Sequence, residues 1–324
     1  MRKLFLLLTI VAQGVIGQKK PFDIQEFYPI EKSHSYVSFS VTYMGYAKVQ
    51  GNFADFGGTF RYNPDDISKT SVSFSVDVAS IDSNLEWRDN DLKSDQWFDA
   101  ENFPNITFTS KLARKTDSGF ELTGDLTIRD VTKEVTLAMN PASGVLKDVR
   151  GDVQVIFSGS YTLDRTEYGV KGERWSRIKE GIAGVANEVT VEFSMLGKQI
   201  QKENFSNWVR REDRPPGRLY AAYKRGGTKE VFSELEKLKG EMEVNTAALN
   251  TVGYMLMKTG EAKDAIAIME KNREEFPEDS GVYDSLGEAY ANAGDLKKAK
   301  ANYQIAVEKD PSNLNAVEIL RGLN

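Results

Sequence analysis

Very few side chains in this sequence are suited to catalysis or metal binding. The 324 residues include one histidine, His34, and no cysteine. The lack of cysteine excludes disulfides, thiolate metal sites, cysteine nucleophiles and an acylated lipoprotein cysteine, and one histidine cannot form a histidine-rich metal site. The sequence shows no paired catalytic carboxylates, no Ser-His-Asp set and no glycine loop preceding a helix. We therefore expect a protein that is not an enzyme, with no catalytic residue, metal or cofactor.

The remaining candidates are polar residues placed to contact a ligand. His34 opens a predicted strand, where it would either touch a ligand headgroup or be a hydrogen-bonded structural residue. Arg88 and Asp89 are neighbours on a predicted helix and point in different directions, so Arg88 would either bind a headgroup or join the helix to the barrel by a salt bridge. Asp164 and Arg165 lie at a strand end, where a structural pair is expected. The net charge of −6 leaves no basic footprint for nucleic acid.

The elements that would position these residues alternate with a period of two from residue 35 to about 196. Such alternation is typical of strands with one buried and one wet face. Eight such segments in sequence predict an all-β antiparallel barrel or sandwich. An eight-stranded barrel is just wide enough to be filled by side chains or to hold one small ligand. The inward-facing residues that we predict to contact a ligand are Phe39, Val41, Phe74, Val76, Phe108, Leu126 and Phe157.

Two further features concern the interior and its cover. Gly124 and Gly159 fall on the inward register, where each would mark either open space or a tight bend. The long connection over 80–105 contains a predicted helix over 85–92, with Asn84 as its amino-terminal cap. This helix is expected to cover one end of the barrel.

Several stretches resemble the YceI-like family of lipocalin-like barrels, which bind polyisoprenoid or other amphiphilic lipids. The resemblance runs from about Ile30 to Leu196, and the order and spacing of its pieces make it specific. The pieces are His34-Ser-Tyr-Val-Ser-Phe39, Val49-Gln-Gly-Asn-Phe53, Ser80-Ile-Asp-Ser83, Arg88-Asp89, Trp97-Phe98-Asp99, Phe103-Pro-Asn-Ile-Thr-Phe108, Gly124-Asp-Leu-Thr-Ile-Arg-Asp-Val-Thr132, Asp164-Arg165 and Tyr168-Gly-Val170. The resemblance implies an eight-stranded antiparallel lipocalin-like barrel holding a long apolar or amphiphilic, isoprenoid-like lipid.

One position departs from the family pattern. The family often carries histidine two residues after its Arg-Asp pair, where this sequence has Asp91. A carboxylate at that position would repel a phosphate rather than bind it. The departure shifts the expected ligand from phosphorylated prenyl lipids toward neutral or unphosphorylated ones.

Residues 1–17 have the pattern of a secretory signal peptide. Two basic residues precede an apolar run over 4–11, and cleavage is expected just after Gly17. The run is too short for a comfortable membrane span, a retained amino-terminal anchor being the alternative, and no later segment is a transmembrane candidate. We expect a cleaved signal peptide, a barrel domain over 18–197 and a periplasmic or secreted location.

The apolar period changes after a charged, proline-bearing segment over 198–217, which we interpret as a linker. In residues 218–324 two segments align 34 residues apart, which is the tetratricopeptide period. Leu249, Gly253, Ala265, Met269 and Pro277 correspond to Tyr283, Gly287, Ala299, Tyr303 and Pro311. The second copy resembles a near-consensus tetratricopeptide repeat, a degenerate copy is expected over 218–243, and a last helix over 314–320 would cap the stack. The chain is therefore expected to end in an all-α tetratricopeptide-type helical repeat domain.

The repeats imply a partner. Tetratricopeptide modules usually bind peptides or proteins in a concave groove. Matching positions within the repeat select Asn250, Tyr254, Asp284 and Glu288 as groove residues, the alternative being ordinary solvated helix faces. The groove has no basic cluster, so a partner with an acidic tail is not favoured.

Three functions follow as hypotheses. The first is an exported carrier that holds an apolar or amphiphilic lipid in the barrel and docks a protein partner through the repeats. The second is an enzyme acting on a hydrophobic substrate, against which the missing catalytic groups argue. The third is a filled barrel scaffold in which the repeats are the only functional part.

Overall fold

In a computed structural model the chain forms a β-barrel followed by paired helices. The structure describes residues 22–140, 142–149, 151–173, 175, 178–179, 182–199, 205 and 209–324, so the predicted signal peptide lies outside the described residues. The strands are β1 (Phe27–Tyr43), β2 (Ala47–Phe53), β3 (Phe56–Arg61), β4 (Ser71–Asp77), β5 (Ile81–Asp82), β6 (Asn105–Thr116), β7 (Gly119–Ile128), β8 (Val131–Met139), β9 (Leu146–Lys147), β10 (Val153–Asp164), β11 (Ile178–Lys179), β12 (Ile182–Ala183) and β13 (Val185–Lys198).

Eight of these strands close the barrel. The ring runs β1, β3, β4, β6, β7, β8, β10 and β13, each neighbouring pair is antiparallel, and β13 returns to β1. Phe39 pairs with Val191 across this closure. β2 and β3 act as one bent strand, since β2 pairs with the second half of β1 and β3 with the first. The shortest pairing in the ring is between β8 and β10, where only Gly159 with Met139 and Ser160 with Ala138 are paired. The predicted eight-stranded antiparallel barrel is confirmed.

The predicted helix at the barrel end is α1 (Glu86–Lys93). Its predicted cap is wrong, because Leu85 occupies the N-cap position without a side-chain bond and Asn84 adopts a φ of 66° before it. The Asp89 carboxylate instead accepts hydrogen bonds from the backbone N–H and the hydroxyl of Ser83. Asp89, in the first turn of α1, therefore fixes Ser83 in the segment that leads into the helix.

In the described part of the chain, six helices follow the barrel. They are α2 (Pro215–Glu241), α3 (Thr246–Thr259), α4 (Ala262–Glu275), α5 (Ser280–Asn292), α6 (Leu296–Lys309) and α7 (Leu314–Gly322). α2 begins inside the predicted linker and breaks at Gly226 and Gly227, the latter with a φ of 66°. Its two halves form the degenerate first helix pair. Among the described helices, none has the length and hydropathy of a membrane-spanning segment.

The same helix contact recurs 34 residues along the chain. A β-carbon added to Gly253 would lie 2.8 Å from the Met269 side chain, and one added to Gly287 would lie 3.1 Å from the Tyr303 ring. In each pair the first helix presents a glycine and the second packs a large side chain against it. The predicted helical repeat is confirmed by this repeated packing.

The last helix, α7, contacts the outer wall of the barrel as well as the helix stack. Glu318 is completely buried, at 0% exposure, and its Oε2 lies 2.6 Å from the Arg321 guanidinium. The Ser73 hydroxyl donates to Glu318 over 2.7 Å, and the Ser71 hydroxyl also donates to it. Arg321 donates in turn to the backbone carbonyl of Ser110 on β6. The helix predicted as a cap thus joins the repeats to the barrel.

An apolar contact reinforces this junction. Phe22, Ile24 and Phe27, which lead into β1, belong to the same buried cluster as Ala316 and Ile319 on α7. The segment preceding the barrel therefore packs into the core of the helical module. The two halves share buried surface in addition to the polar contacts of α7.

Candidate functional site

The barrel encloses an apolar cavity of about 440 Å³. This volume lies within the range of about 300–1,000 Å³ seen for small-molecule sites. The predicted inward-facing residues that line it are Phe39, Val41, Phe74, Val76, Phe108 and Leu126. Among the described residues, the charged side chains that line it are Arg88, Asp91 and Arg165, which lie at one end, the mouth. The arrangement suits a ligand with a long apolar tail and a small polar end.

Phe157 was also predicted to contact the ligand, but the structure places it outside the cavity lining. Its ring stacks on Phe60 with centroids 4.3 Å apart, and the rings of Tyr62 and Phe120 pack edge-on against it. Phe157 is fully buried and does not line the cavity. The alternation along β10 places it inside the barrel, but at the end opposite the mouth, where aromatic packing forms the cavity floor.

His34 lies on the barrel exterior and is absent from the cavity lining, which favours the structural alternative. It falls on the same alternate positions of β1 as Tyr36 and Ser38, opposite to the buried Val37. Its Nδ1 lies 2.8 Å from the Glu31 carboxylate, and the side chain is exposed. His34 is a structural surface residue.

The two inward glycines make room for neighbouring protein atoms rather than directly for a ligand. A β-carbon on Gly124 would lie 2.3 Å from the carbonyl oxygen of Thr109, so this glycine permits the close approach of β6 and β7. A β-carbon on Gly159 would lie 2.7 Å from the Ala138 carbonyl oxygen and 2.9 Å from the Phe193 ring. Phe193 lines the cavity, so Gly159 shapes the interior through that ring.

Asp91 organises the mouth. Its Oδ2 accepts hydrogen bonds from the indole N–H of Trp97 over 3.1 Å and of Trp175 over 3.0 Å. Buried or half-buried indole groups need such an acceptor. The residue that departs from the family pattern is therefore the acceptor that orients two tryptophans around the opening. Its second oxygen, Oδ1, has no donor among the described residues and can accept a hydrogen bond from a ligand.

Arg88 lines the cavity, and two of its three guanidinium nitrogens bond locally. Its Nε donates to the Ser83 hydroxyl over 2.8 Å and an Nη donates to the Ser83 carbonyl oxygen. Since Asp89 also bonds Ser83, the Arg-Asp pair holds the start of α1 from both sides. Arg88 therefore clamps Ser83 and also lies at the cavity wall, so its contact with a headgroup stays a prediction.

Arg165 is buried beside the mouth and does not form the expected pair with Asp164. Its guanidinium donates to the carbonyl oxygens of Val170 and Lys171, each over 2.6 Å, and lies over the Trp97 ring at 5.0 Å. The Asp164 carboxylate accepts instead from the Thr166 backbone N–H. Both arginines at the cavity wall thus donate to protein oxygens, and among the described residues Asp91 carries an acceptor oxygen that has no donor.

The sequence interpretation assigned no role to three residues that shape the mouth. These are Trp97, Trp175 and Arg129. Arg129 donates to the carbonyl oxygens of Trp97 over 2.7 Å and Gly169 over 3.1 Å, and so joins two mouth loops to the β7–β8 turn. A buried tryptophan needs an acceptor for its N–H. Asp91, an acidic residue in the helix that covers the barrel, was the sequence signal for such an acceptor.

The predicted groove residues of the helical module lie together on the facing helices α3 and α5. The Tyr254 hydroxyl donates to Glu288 over 2.8 Å, and Asn250 donates to Ser285 over 3.0 Å. The Tyr254 ring stacks on Phe205 with centroids 5.0 Å apart and planes 6° apart. A residue of the segment between barrel and helices thus occupies this face.

Asp284, the fourth groove candidate, accepts two hydrogen bonds of 3.3 Å from Asn315 on α7. Burial raises the pKa of Asp284 to about 6, because its ionised form loses hydration. Asn315 also accepts a hydrogen bond from Thr59 on the barrel wall, over 3.1 Å. The groove residues are therefore in contact, through Asn315, with the barrel.

Residues 28–196, just over half of the chain, match the family described as the YceI-like domain. UPF0312 protein VVA0736 of Vibrio vulnificus is 34% identical over 139 residues, which cover 43% of this chain and 73% of the relative. Protein YceI of Salmonella arizonae is 37% identical over 112 residues, covering 34% of this chain and 59% of the relative.

Two solved structures are similar to the barrel. BcnA of Burkholderia cenocepacia is 23% identical with a TM-score of 0.45, and the match covers 52% of this chain and 98% of that one. A polyisoprenoid binding domain from Saccharophagus degradans is 12% identical with a TM-score of 0.41, covering 54% of this chain and 99% of that one. The matched part of this chain corresponds to nearly the whole of each of these structures.

Proposed function

Since this chain belongs to the YceI-like family, we propose that it is a non-catalytic carrier holding one long, isoprenoid-like lipid in its barrel. The observation that carries this proposal is the cavity of about 440 Å³, which is lined by apolar side chains and whose charged lining residues, in the described part of the chain, lie at its mouth. Apolar walls give a hydrocarbon chain no directional contact, so they suit a ligand recognised by length and by its polar end. The aromatic floor fixes how far such a chain enters.

The energetics suit loading and release. Burying each CH₂ group contributes roughly 0.8 kcal/mol relative to water. A membrane lipid already has these groups buried, so its transfer into the barrel is close to balanced. A near-balance lets a carrier take up a lipid and also deliver it.

The mouth offers a hydrogen-bond acceptor to an uncharged polar end. Arg88 and Arg165 are oriented by hydrogen bonds to protein oxygens, while Asp91 Oδ1 has no donor among the described residues. A carboxylate attracts a hydrogen-bond donor and repels an anion. We therefore assign an alcohol-ended isoprenoid, a polyprenol, in preference to its phosphate.

This assignment is tested by native mass spectrometry of the delipidated full chain with a polyprenol and its monophosphate. We expect one polyprenol per chain and weaker binding of the phosphate. In Asp91→Asn an amide oxygen still accepts from the tryptophans while the charge is removed. The preference for the alcohol should then fall about tenfold or more, since unit charges 4 Å apart interact by about 1 kcal/mol in water and about 4 kcal/mol at an effective dielectric of 20.

Asp117→Asn, at an exposed turn away from the mouth, is the matched control and should leave the preference unchanged. Equal binding of alcohol and phosphate by the parent chain would refute the headgroup assignment. Failure of both to bind would refute the carrier function.

The location belongs to the same proposal. A signal-peptide pattern at residues 1–17 supports export, so we place the carrier in the periplasm or outside the cell. There a lipid that leaves a membrane meets water, which is where a shielded cavity is useful.

The helical module supports a second role, docking of a protein partner in a tetratricopeptide-type groove. The specific observation is the stacking of Phe205 on Tyr254, which shows that the face between α3 and α5 accepts an aromatic side chain. We infer that a partner peptide presents an aromatic residue there in place of Phe205. In this arrangement the chain's own linker competes with the partner.

A synthetic peptide with the sequence of residues 200–212 tests this groove. It should bind the full chain carrying Phe205→Ala in calorimetry, and Tyr254→Ala should abolish the binding without loss of helix content. The same peptide with alanine in place of phenylalanine is the control. If Tyr254→Ala unfolds the helices, Tyr254 is a core residue and the groove assignment fails.

A further inference from the structure

Exposed apolar side chains surround the cavity mouth. We define this set as the rim, and its members are Tyr43, Met44, Tyr46, Leu85 and Trp87. Tyr46 is 87% exposed, Trp87 58% and Met44 43%. Soluble proteins rarely leave several large apolar side chains exposed side by side unless the surface meets a partner.

The rim is continuous although its members come from two parts of the sequence. The backbone N–H of Met44 donates to the Gly184 carbonyl oxygen over 2.9 Å, and that of Val185 donates to the Trp175 carbonyl oxygen over 3.0 Å. The Trp175 ring lies 6.3 Å from the Trp87 ring on α1. The β1–β2 turn and α1 are therefore joined through the segment that carries Trp175 and Gly184.

The β1–β2 turn carries Met44 in a backbone conformation that is unfavourable for methionine. Met44 has a φ of 51° and Gly45 a φ of 77°. Glycine and asparagine adopt this left-handed region readily, whereas a side chain such as methionine is disfavoured there. A large apolar residue at the tip, where local structure favours a small polar one, points to a role for that side chain outside the fold.

Two rim residues also belong to the cavity. Tyr43 and Trp87 are exposed on the rim and line the interior. A ligand that enters between them passes directly from whatever covers the rim to the apolar walls. We propose that the rim docks the barrel mouth on a zwitterionic lipid surface, so that lipid exchanges between bilayer and cavity. This inference rests on the proposed lipid-carrier function.

The chemistry of the rim fits this partner. Tyrosine and tryptophan combine an apolar ring with a polar group, and both concentrate at the interface of a bilayer with water. The charges on α1 beside the rim are Glu86, Asp89 and Asp91 against Arg88 and Lys93, and the whole chain carries −6. The rim residues themselves are uncharged, and a surface of anionic lipid repels a chain of net charge −6 overall, so the docking surface suits zwitterionic headgroups.

The helical module leaves the rim accessible in the described part of the chain. α7 contacts Ser71 and Ser73 at the start of β4, while the mouth lies at the other end of that strand. The barrel can therefore meet a membrane mouth-first while the repeats point away from it.

Flotation of the delipidated full chain with phosphatidylcholine vesicles tests the proposal. The parent chain should float. Met44→Asn with Tyr46→Ser, which changes residues outside the cavity lining, should weaken vesicle binding by roughly tenfold or more, given the transfer free energy of an apolar side chain. Val149→Ser is the control, because Val149 is 103% exposed in the loop before β10, at the end opposite the mouth.

Unchanged flotation of the double variant, loss of flotation in Val149→Ser, or no flotation of the parent would overturn the docking. Stronger flotation with phosphatidylglycerol vesicles would overturn the zwitterionic partner. Polyprenol binding from detergent micelles separates the two proposals. A parent chain that floats but takes up no polyprenol contradicts the carrier function, and one that takes up polyprenol but does not float contradicts the docking.

Discussion

Val76→Trp is expected to empty the barrel of lipid while leaving the lipid-free protein nearly as stable as the parent. Val76 is buried and lines the cavity, and it pairs with Phe56 on one side and Ile106 on the other. The larger ring would extend into the space that the lipid occupies. Native mass spectrometry measures the lipid load, and urea unfolding of delipidated protein measures the free energy of unfolding.

Val155→Trp is the matched control for this result. Val155 is fully buried in the same barrel core but does not line the cavity. Adding bulk to a packed core costs about 1–3 kcal/mol, so this variant should lose stability where Val76→Trp does not. A strongly destabilised Val76→Trp, or one that keeps its full lipid load, would show that the cavity is not where we place it.

Arg321→Ala should cost about 1–3 kcal/mol of unfolding free energy, the usual loss when a buried polar group is left without one of its partners. The reason is that Glu318, which is 0% exposed, would lose the guanidinium 2.6 Å away. The Ser110 carbonyl on the barrel would lose its donor as well. Urea unfolding measures the loss.

The same variant should weaken the contact between the two halves of the chain. After proteolysis inside 198–217, the parent fragments should remain together in gel filtration because α7 contacts the barrel, whereas Arg321→Ala fragments should dissociate at a lower urea concentration. Arg225→Ala, which removes a half-exposed arginine from α2, should change neither result. If the parent fragments separate on cleavage, the contact between α7 and the barrel does not hold the halves together.

The strands were predictable because burial on one face imposes a period of two that is visible in the sequence. Phe74 and Val76 alternate with Ser73 and Ser75, and this alone places them inside the barrel. Alternation gives the face of a strand but not the depth along the barrel axis. For that reason Phe157 was predicted beside the ligand although it lies in the floor.

The contacts at the mouth depend on residues that are distant in sequence. Asp91 and Trp175 are hydrogen bonded across 84 positions, and no local pattern signals such a pair. Glu318 has the same character. A glutamate on a short helix usually faces solvent. Glu318 is buried only because α7 docks on the barrel.

The most direct test of the central claim is the intact mass of the full chain purified without detergent from the cells that make it. We expect a mass greater than that of the polypeptide by one lipid molecule, and the lipid should be released on denaturation as a long, unphosphorylated isoprenoid. The bare polypeptide mass from a protein with a fully folded barrel would rule out the carrier function. In that case the barrel is a scaffold, and the helical repeats are its functional part.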